Sequence, residues 1–384
     1  MFTAAALFLP AVPARAAVTS AVDIERGDRW IDVKCRYVDD ARPTVSYTIT
    51  VNPGSKVITK PGCFARIAVK IGTPTTIRVL ANFASGAPVD FGGCNACVTA
   101  KENYVALGDS FSSGEGAGNY LAGTNTSDNH CHRSANAYGP RATGATFTPA
   151  LLAFHACSGA RLADFTNPNA SNANEPAQLD WITTTTPARL ITATIGGNDA
   201  HFGDVMSYCA RRTGSQPTCQ AQWDPQVSTA IAALDGPVTD AHSLRALYRA
   251  IRQHADDANG PQHTDVVVLT YPRLFPVNPT TACGTGVPGS SFALSDQKWM
   301  NQKAADLAGV ITRAAADTGR IQVANALAAM KGHELCTTSP WFNSVRFNDT
   351  SESFHPTVDG QAALAKVLLK QRKTSPPFSG DASI

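Results

Sequence analysis

Tyr104-Val105-Ala106-Leu107-Gly108-Asp109-Ser110-Phe111-Ser112 is the stretch from which the rest of the chain can be read. Its first four residues form a short apolar run, as in a strand buried on both faces, and the run stops at Gly108 with a serine in the turn beyond. In an open α/β sheet, ligands lie in the crevice outside the carboxyl ends of the strands. That placement makes Ser110 a candidate nucleophile.

Toward the carboxyl end, apolar runs return at Leu151 to His155, Leu190 to Ile195, Val266 to Leu269 and Ile321 to Ala324. Between them Leu244, Leu247, Tyr248, Ile251 and Ala255 keep helical spacing, as do Met300, Ala304, Leu307, Val310, Ile311 and Ala314. Strands alternating with helices of this length predict a doubly wound α/β domain over 101–372, with about five parallel strands covered on both faces. A closing helix is expected from Val358 to Lys370, and 373–384, rich in Pro, Ser and Gly, as a flexible tail.

Toward the amino end the period becomes two. Ile31, Val33, Cys35 and Tyr37 alternate with polar neighbours; so do Val45, Tyr47, Ile49 and Val51, then Ile67, Val69 and Ile71, then Ile77, Val79, Ala81 and Phe83. Turn residues fall between them at Asn52-Pro53-Gly54, Pro61-Gly62 and Thr73-Pro74. The pattern predicts a small antiparallel β-sandwich over 17–100, with Cys35 bonded to Cys63 across it. Cys94-Asn95-Ala96-Cys97 lacks the second pair that a zinc site needs, so a short Cys94–Cys97 loop is expected there.

Residues 1–16 read as a secretory signal, with an apolar core through Val12 and the small-x-small pattern Ala14-Arg15-Ala16. No Lys or Arg precedes the apolar run, so the signal is weak or incomplete at its start; the alternative is a plain apolar tail. The ten cysteines, an even number, fit disulfides formed in an oxidising, extracellular compartment. With 32 basic and 30 acidic residues the formal net charge is +2, which leaves no electrostatic footprint for nucleic acid or an anionic membrane.

A serine hydroxyl needs a base within hydrogen-bond reach and donors for the oxyanion. Three further loops offer them. Ala156-Cys157-Ser158-Gly159-Ala160 follows the second apolar run, Gly196-Gly197-Asn198-Asp199 follows the third, and Glu352-Ser353-Phe354-His355-Pro356 precedes the last helix. Each alone is ordinary loop composition. Together and in this order they join a flexible backbone donor, a side-chain amide and an imidazole to the serine.

In these four blocks, Gly108-Asp109-Ser110, Gly159, Gly197-Asn198-Asp199 and His355-Pro356, the chain resembles the GDSL-type or SGNH hydrolases, a family of serine esterases and lipases. The longer run from Tyr104 to Gly116, with Cys131-His132-Arg133-Ser134 and Ala156 to Ala160, is similar to the secreted lipases and esterases of actinomycete bacteria. The resemblance implies a flavodoxin-like SGNH sheet and a secreted carboxylic ester hydrolase without cofactor or metal. It implies Ser110 as nucleophile, His355 as general base, and an oxyanion hole made by the backbone N–H of Ser110 and Gly159 and the side chain of Asn198. The family places Asp three residues before the histidine. Here Glu352 stands there and is the candidate orienting acid; a backbone carbonyl is the alternative.

Within that frame, Cys131 with Cys157, Cys209 with Cys219, and Cys283 with Cys336 are the expected pairs pinning the crevice rim. The expected partner is an ester substrate, lipid or acylated small molecule, met by a monomer in transient contact with a lipid interface. Deacetylation of a polysaccharide is the alternative reaction. A cell-surface adhesion module that binds without turnover is the alternative of another class.

Overall fold

The structure is a computed structural model and describes residues 22–26, 30–35, 44–52, 56–62, 64–68, 75–97, 103–143, 145, 151–183, 188–260, 264–347 and 350–374. Two compact units follow along the chain, Met1–Lys101 and Glu102–Ile384.

In the first unit Val22–Arg26, Trp30–Cys35 and Phe64–Ala68 form a three-stranded antiparallel sheet. Lys56–Lys60, Thr44–Asn52, Thr75–Phe83 and Val89–Cys97 form a four-stranded one. The alternating residues explain why the sheets face each other: Ile31, Val33, Ile49, Val51, Ile67, Ile77 and Val79 are buried in one shared cluster with Phe91. Three strands go beyond the sequence reading, namely Val22–Arg26, Lys56–Lys60 and Val89–Cys97. The last of these reads as a loop because of Gly92-Gly93 and its cysteines, yet it pairs with Thr75–Phe83 through a ladder with two register shifts. Cys63, the side chains of Cys35, Cys94 and Cys97, and residues 1–16 lie outside what is described, and with them the expected Cys35–Cys63 and Cys94–Cys97 pairings and the signal segment.

The second unit is built on a five-stranded sheet in the order Ile321–Ala324, Asp265–Leu269, Ala188–Thr194, Asn103–Gly108, Leu151–Phe154. Every pairing in it is parallel. Numbered along the chain the order is 2-1-3-4-5, the flavodoxin-like arrangement, whose direction of winding reverses between the first and third strands. Ser110 follows the first and Asn198 the third. The topology therefore opens its crevice between these two residues.

Helices close both faces through the stripes seen in the sequence. Leu244, Leu247, Tyr248, Ile251 and Ala255 are all buried along Leu244–Asn259, whose start is capped by Ser243 accepting from the Ala246 N–H at 3.1 Å. Along Leu294–Thr318, Met300, Leu307, Val310, Ile311 and Ala314 are buried in the same core. Full burial of each such aliphatic side chain contributes roughly 1.5–3 kcal/mol, so the stripes, more than intrinsic propensity, hold the helices in place. The closing helix runs over Val358–Thr374, past the expected end at Lys370. Arg372 is 3% exposed and pairs with Asp265 at 2.7 Å, which carries the helix two residues into the segment expected to be tail.

Candidate active site

The strand Asn103–Gly108 ends where only glycine fits. Gly108 has φ +119°, and a Cβ there would lie 2.4 Å from the Thr194 carbonyl oxygen and 2.6 Å from Ser112 Oγ. Its backbone is held instead by Gln178, whose amide accepts from the Gly108 N–H at 2.7 Å and donates to its carbonyl at 3.0 Å. Asp109 then caps the one-turn helix Ser110–Ser113 by accepting from the Phe111 N–H at 3.0 Å. This turn sets Ser110 at the crevice floor, 6% exposed.

His355 Nε2 lies 2.8 Å from Ser110 Oγ. The two residues, 245 positions apart in the chain, are brought together by the last helix, because Gln361 accepts from the Tyr138 N–H at 3.0 Å and donates to the Phe111 carbonyl at 3.1 Å. Gly159 has φ +79° with open space where a Cβ would stand, so its backbone faces the crevice unshielded. Asn198 donates from Nδ2 to the Ala160 carbonyl at 2.9 Å, which spends one of its two amide hydrogens on orientation and leaves the other. Ser110, Gly159, Asn198 and His355 line one crevice of about 720 Å³, whose far wall is apolar and includes Phe202, Met206, Leu274, Met300 and Phe354.

Glu352 is placed differently from the sequence expectation. It ends the short turn Thr350–Glu352, and its carboxylate accepts from the Tyr120 hydroxyl at 2.8 Å, not from the imidazole. His355 Nδ1 is buried and, among the described residues, makes no hydrogen bond of ordinary geometry. Burial pushes the His355 pKa down; Glu115 and the backbone carbonyls of Ser351 and Ser353 push it up by less, and His132 lowers it further.

Two buried carboxylates flank the serine turn. Asp109 accepts from the Thr194 hydroxyl at 2.6 Å and from the Tyr271 hydroxyl, and Tyr271 in turn accepts from the Gly197 N–H at 2.9 Å, so one side chain ties the serine loop to the Asn198 loop. Burial outweighs these donors and lifts the Asp109 pKa from 3.8 to about 6. A carboxyl raised on folding stabilises fully below its unfolded pKa and loses that contribution as pH rises through the folded one. The stability advantage of wild type over Asp109→Asn is therefore expected to shrink by roughly 2 kcal/mol between pH 4 and 7, read by urea unfolding at each pH. A difference constant across that range would remove Asp109 as its source.

The other carboxylate, Glu115, is fully buried, with His132 Nδ1 2.5 Å from its Oε2. The sequence reading passed over it, since its partners are recognisable only once the loops are folded together. His132, from the block Cys131-His132-Arg133-Ser134, is this partner. His155 is half-buried and stacked on Trp181 with ring centres 3.7 Å apart, where burial pushes its pKa down to about 4. His201 precedes the helix Phe202–Arg211 and pairs with Asp204 at 3.1 Å. Phe342 is core, while Trp341 stacks on His333 at 3.7 Å.

Among the described residues, three disulfides tie together loops and helices of this unit. Cys131 is bonded to Cys157, Cys209 to Cys219, and Cys283 to Cys336. Cys209 lies in the helix Phe202–Arg211 and Cys219 opens the helix Cys219–Leu234, so this bond joins two helices and not merely the ends of a loop.

Residues 106–363 match the model of the GDSL-like lipase/acylhydrolase family. Lipase 1 of Streptomyces coelicolor is 35% identical over 265 residues, 68% of this chain and 84% of that protein. A lipase of Streptomyces rimosus is 34% identical over 274 residues, 70% of this chain and 88% of its own length. Among solved structures, the Streptomyces rimosus extracellular lipase superposes with a TM-score of 0.53 at 32% identity, covering 70% of this chain and 99% of that one. Phospholipase A1 of Streptomyces albidoflavus superposes at 0.55 and 33% identity, covering 71% and 100%. With two thirds of its length matched by the family model, and the four sequence blocks gathered around one crevice, the chain belongs to the GDSL-like lipase/acylhydrolase family of carboxylic ester hydrolases.

Proposed function

We propose that this protein is a secreted lipase or esterase that cleaves acyl esters through an acyl-enzyme on Ser110. The observation that carries this reading is the 2.8 Å approach of His355 Nε2 to Ser110 Oγ at the floor of an apolar-walled crevice. His355 takes the Ser110 proton as Oγ bonds to the ester carbonyl carbon, and the carbonyl electron pair moves to the oxygen. The N–H groups of Ser110 and Gly159 and the Asn198 amide receive that oxyanion. Its collapse breaks the bond to the alcohol, which leaves with the proton from His355; water, activated by the same imidazole, then releases the acid. Glu352 is engaged by Tyr120, and the carbonyls of Ser351 and Ser353, which raise the His355 pKa, support a backbone share in the orienting role first considered for it.

The apolar wall favours an acyl chain over an acetylated glycan, since a sugar in this crevice would leave hydroxyls without partners. Phe347, at the mouth, is 70% exposed and supplies an apolar contact for a lipid surface. Similarity to an extracellular lipase and the three disulfides support secretion. An alkyl phosphonate ester is expected to inactivate the enzyme at one equivalent, with peptide mass mapping placing the adduct on Ser110. Labelling of another residue, or full activity after labelling, would overturn the reading.

A further inference from the structure

Behind His355 lies a polar cluster that the reaction as described does not use, with Glu115 and His132 buried and Ser158 and Ser351 at the crevice lining. Glu115 is its centre. Its Oε2 meets His132 Nδ1 at 2.5 Å, and its Oε1 accepts from the Ser351 hydroxyl at 3.2 Å. The Tyr120 hydroxyl stands 3.3 Å from Oε1 but only 2.8 Å from Glu352 Oε1, and it accepts from the Gly116 N–H at 3.0 Å. The Tyr120 and His132 rings stack at 4.9 Å, with His130 edge-on to His132 at 5.7 Å. Ser158, beside Gly159, also hydrogen-bonds Glu115. The next residue, Gly116, touches the histidine loop itself. A Cβ there would stand 3.0 Å from His355 Cβ and 3.2 Å from the Glu352 carbonyl oxygen, and its own carbonyl accepts from Asn343 Nδ2 at 2.9 Å.

We propose that Glu115 is the positioning acid of this site: its buried carboxylate, locked by His132 and tied to Ser351, fixes the loop behind His355 and stabilises the imidazolium formed when Ser110 gives up its proton. A buried charge is retained only where hydrogen bonds compensate its desolvation, and Glu115 has several. Burial acts to raise its pKa, but the His132 hydrogen bond and the charges of His355 and His132 prevail and hold it below the usual carboxylate value, so it is ionised at neutral pH. Ser351 links the two functions, since its hydroxyl meets Glu115 while its carbonyl stands beside the imidazole. Glu352, engaged with Tyr120, is one step further out.

The inference rests on Ser110 and His355 being the reacting pair, and its test separates the two. The groups bearing on His355 are Ser110, Glu115, His132, the Phe111 ring and the carbonyls of Ser351 and Ser353. Because Glu115 raises the His355 pKa, Glu115→Gln is expected to move the acid limb of kcat/KM to lower pH. It is also expected to lower kcat about ten- to a hundredfold, with KM within about twofold, as for an interaction that strengthens only in the transition state. The His355 imidazole, titrated by NMR in a Ser110→Ala background with and without Glu115→Gln, should show the same downward shift. Glu352→Gln should move both readouts less than Glu115→Gln does. Should Glu115→Gln misfold, Ser351→Ala, which keeps the carbonyl and removes the hydroxyl tie, should still lower kcat severalfold with an unchanged Tm. An unmoved acid limb and unmoved imidazole titration in folded Glu115→Gln, unchanged kcat in Ser351→Ala, or a larger shift from Glu352→Gln would each overturn the proposal. Activity persisting in Ser110→Ala would instead remove the reading of the site beneath it.

Discussion

Ser110→Ala is expected to lower kcat by about five to six powers of ten, and His355→Ala by a similar amount. The double variant should lose no more than either one alone. The reason lies in the 2.8 Å contact. A serine hydroxyl with no base is a poor nucleophile, and an imidazole with no hydroxyl beside it has no proton to take, so each residue is worth little without the other. Both side chains are held by elements that do not depend on their mutual contact. The serine turn is fixed by Asp109, Gln178 and the glycine at 108, and the histidine loop by Asn343, which donates its N–H to the His355 carbonyl at 2.9 Å and accepts from the Phe354 N–H at 3.0 Å. The variants should therefore fold with nearly unchanged Tm. The measurement is turnover of a small acyl ester by freshly purified protein, checked against phosphonate labelling. Losses that multiplied in the double variant would mean that serine and histidine act in separate steps, and would sink the single proton relay.

The parallel sheet was legible in the sequence because burial on both faces leaves continuous apolar runs such as Val266 to Leu269, and helix stripes such as Leu244 to Ala255 declare their own period. The four blocks could be placed at one end of the sheet because each follows a strand or precedes a helix, while the roles expected of them came from the family resemblance. What stayed hidden depends on distant partners. Glu352 and His355 are three residues apart, and sequence spacing suggested contact; the turn sends the carboxylate toward Tyr120, which lies 232 positions away. Glu115, Gln178 and Tyr271 carry no local signature either, since each acts on a loop 17 to 236 residues removed. Strand Val89–Cys97 was missed for a different reason. Its glycines lower strand propensity, and pairing with a neighbour overrides that preference.

Asn198→Ala is expected to lower kcat by about two to three powers of ten while KM changes little. In the resting site Asn198 donates to the Ala160 carbonyl at 2.9 Å, which holds its side chain beside the Gly159 loop. On the proposed reading the remaining amide hydrogen meets the ester carbonyl oxygen and binds it more strongly as it becomes an anion, so the interaction strengthens along the reaction and acts on kcat. Gly159 cannot compensate, because its open, left-handed backbone offers a single N–H. Loss of the Ala160 bond should cost about 1 kcal/mol in stability, too little to unfold the domain. Asn198→Asp supplies the sharper comparison: the shape is kept, but a donor becomes an anionic acceptor facing the developing negative charge, so its kcat should fall below that of the alanine variant. Steady-state kinetics on one ester would measure both variants. An aspartate variant as active as wild type would mean that Asn198 does not face the oxyanion, and the charge would have to be carried by the backbone donors alone.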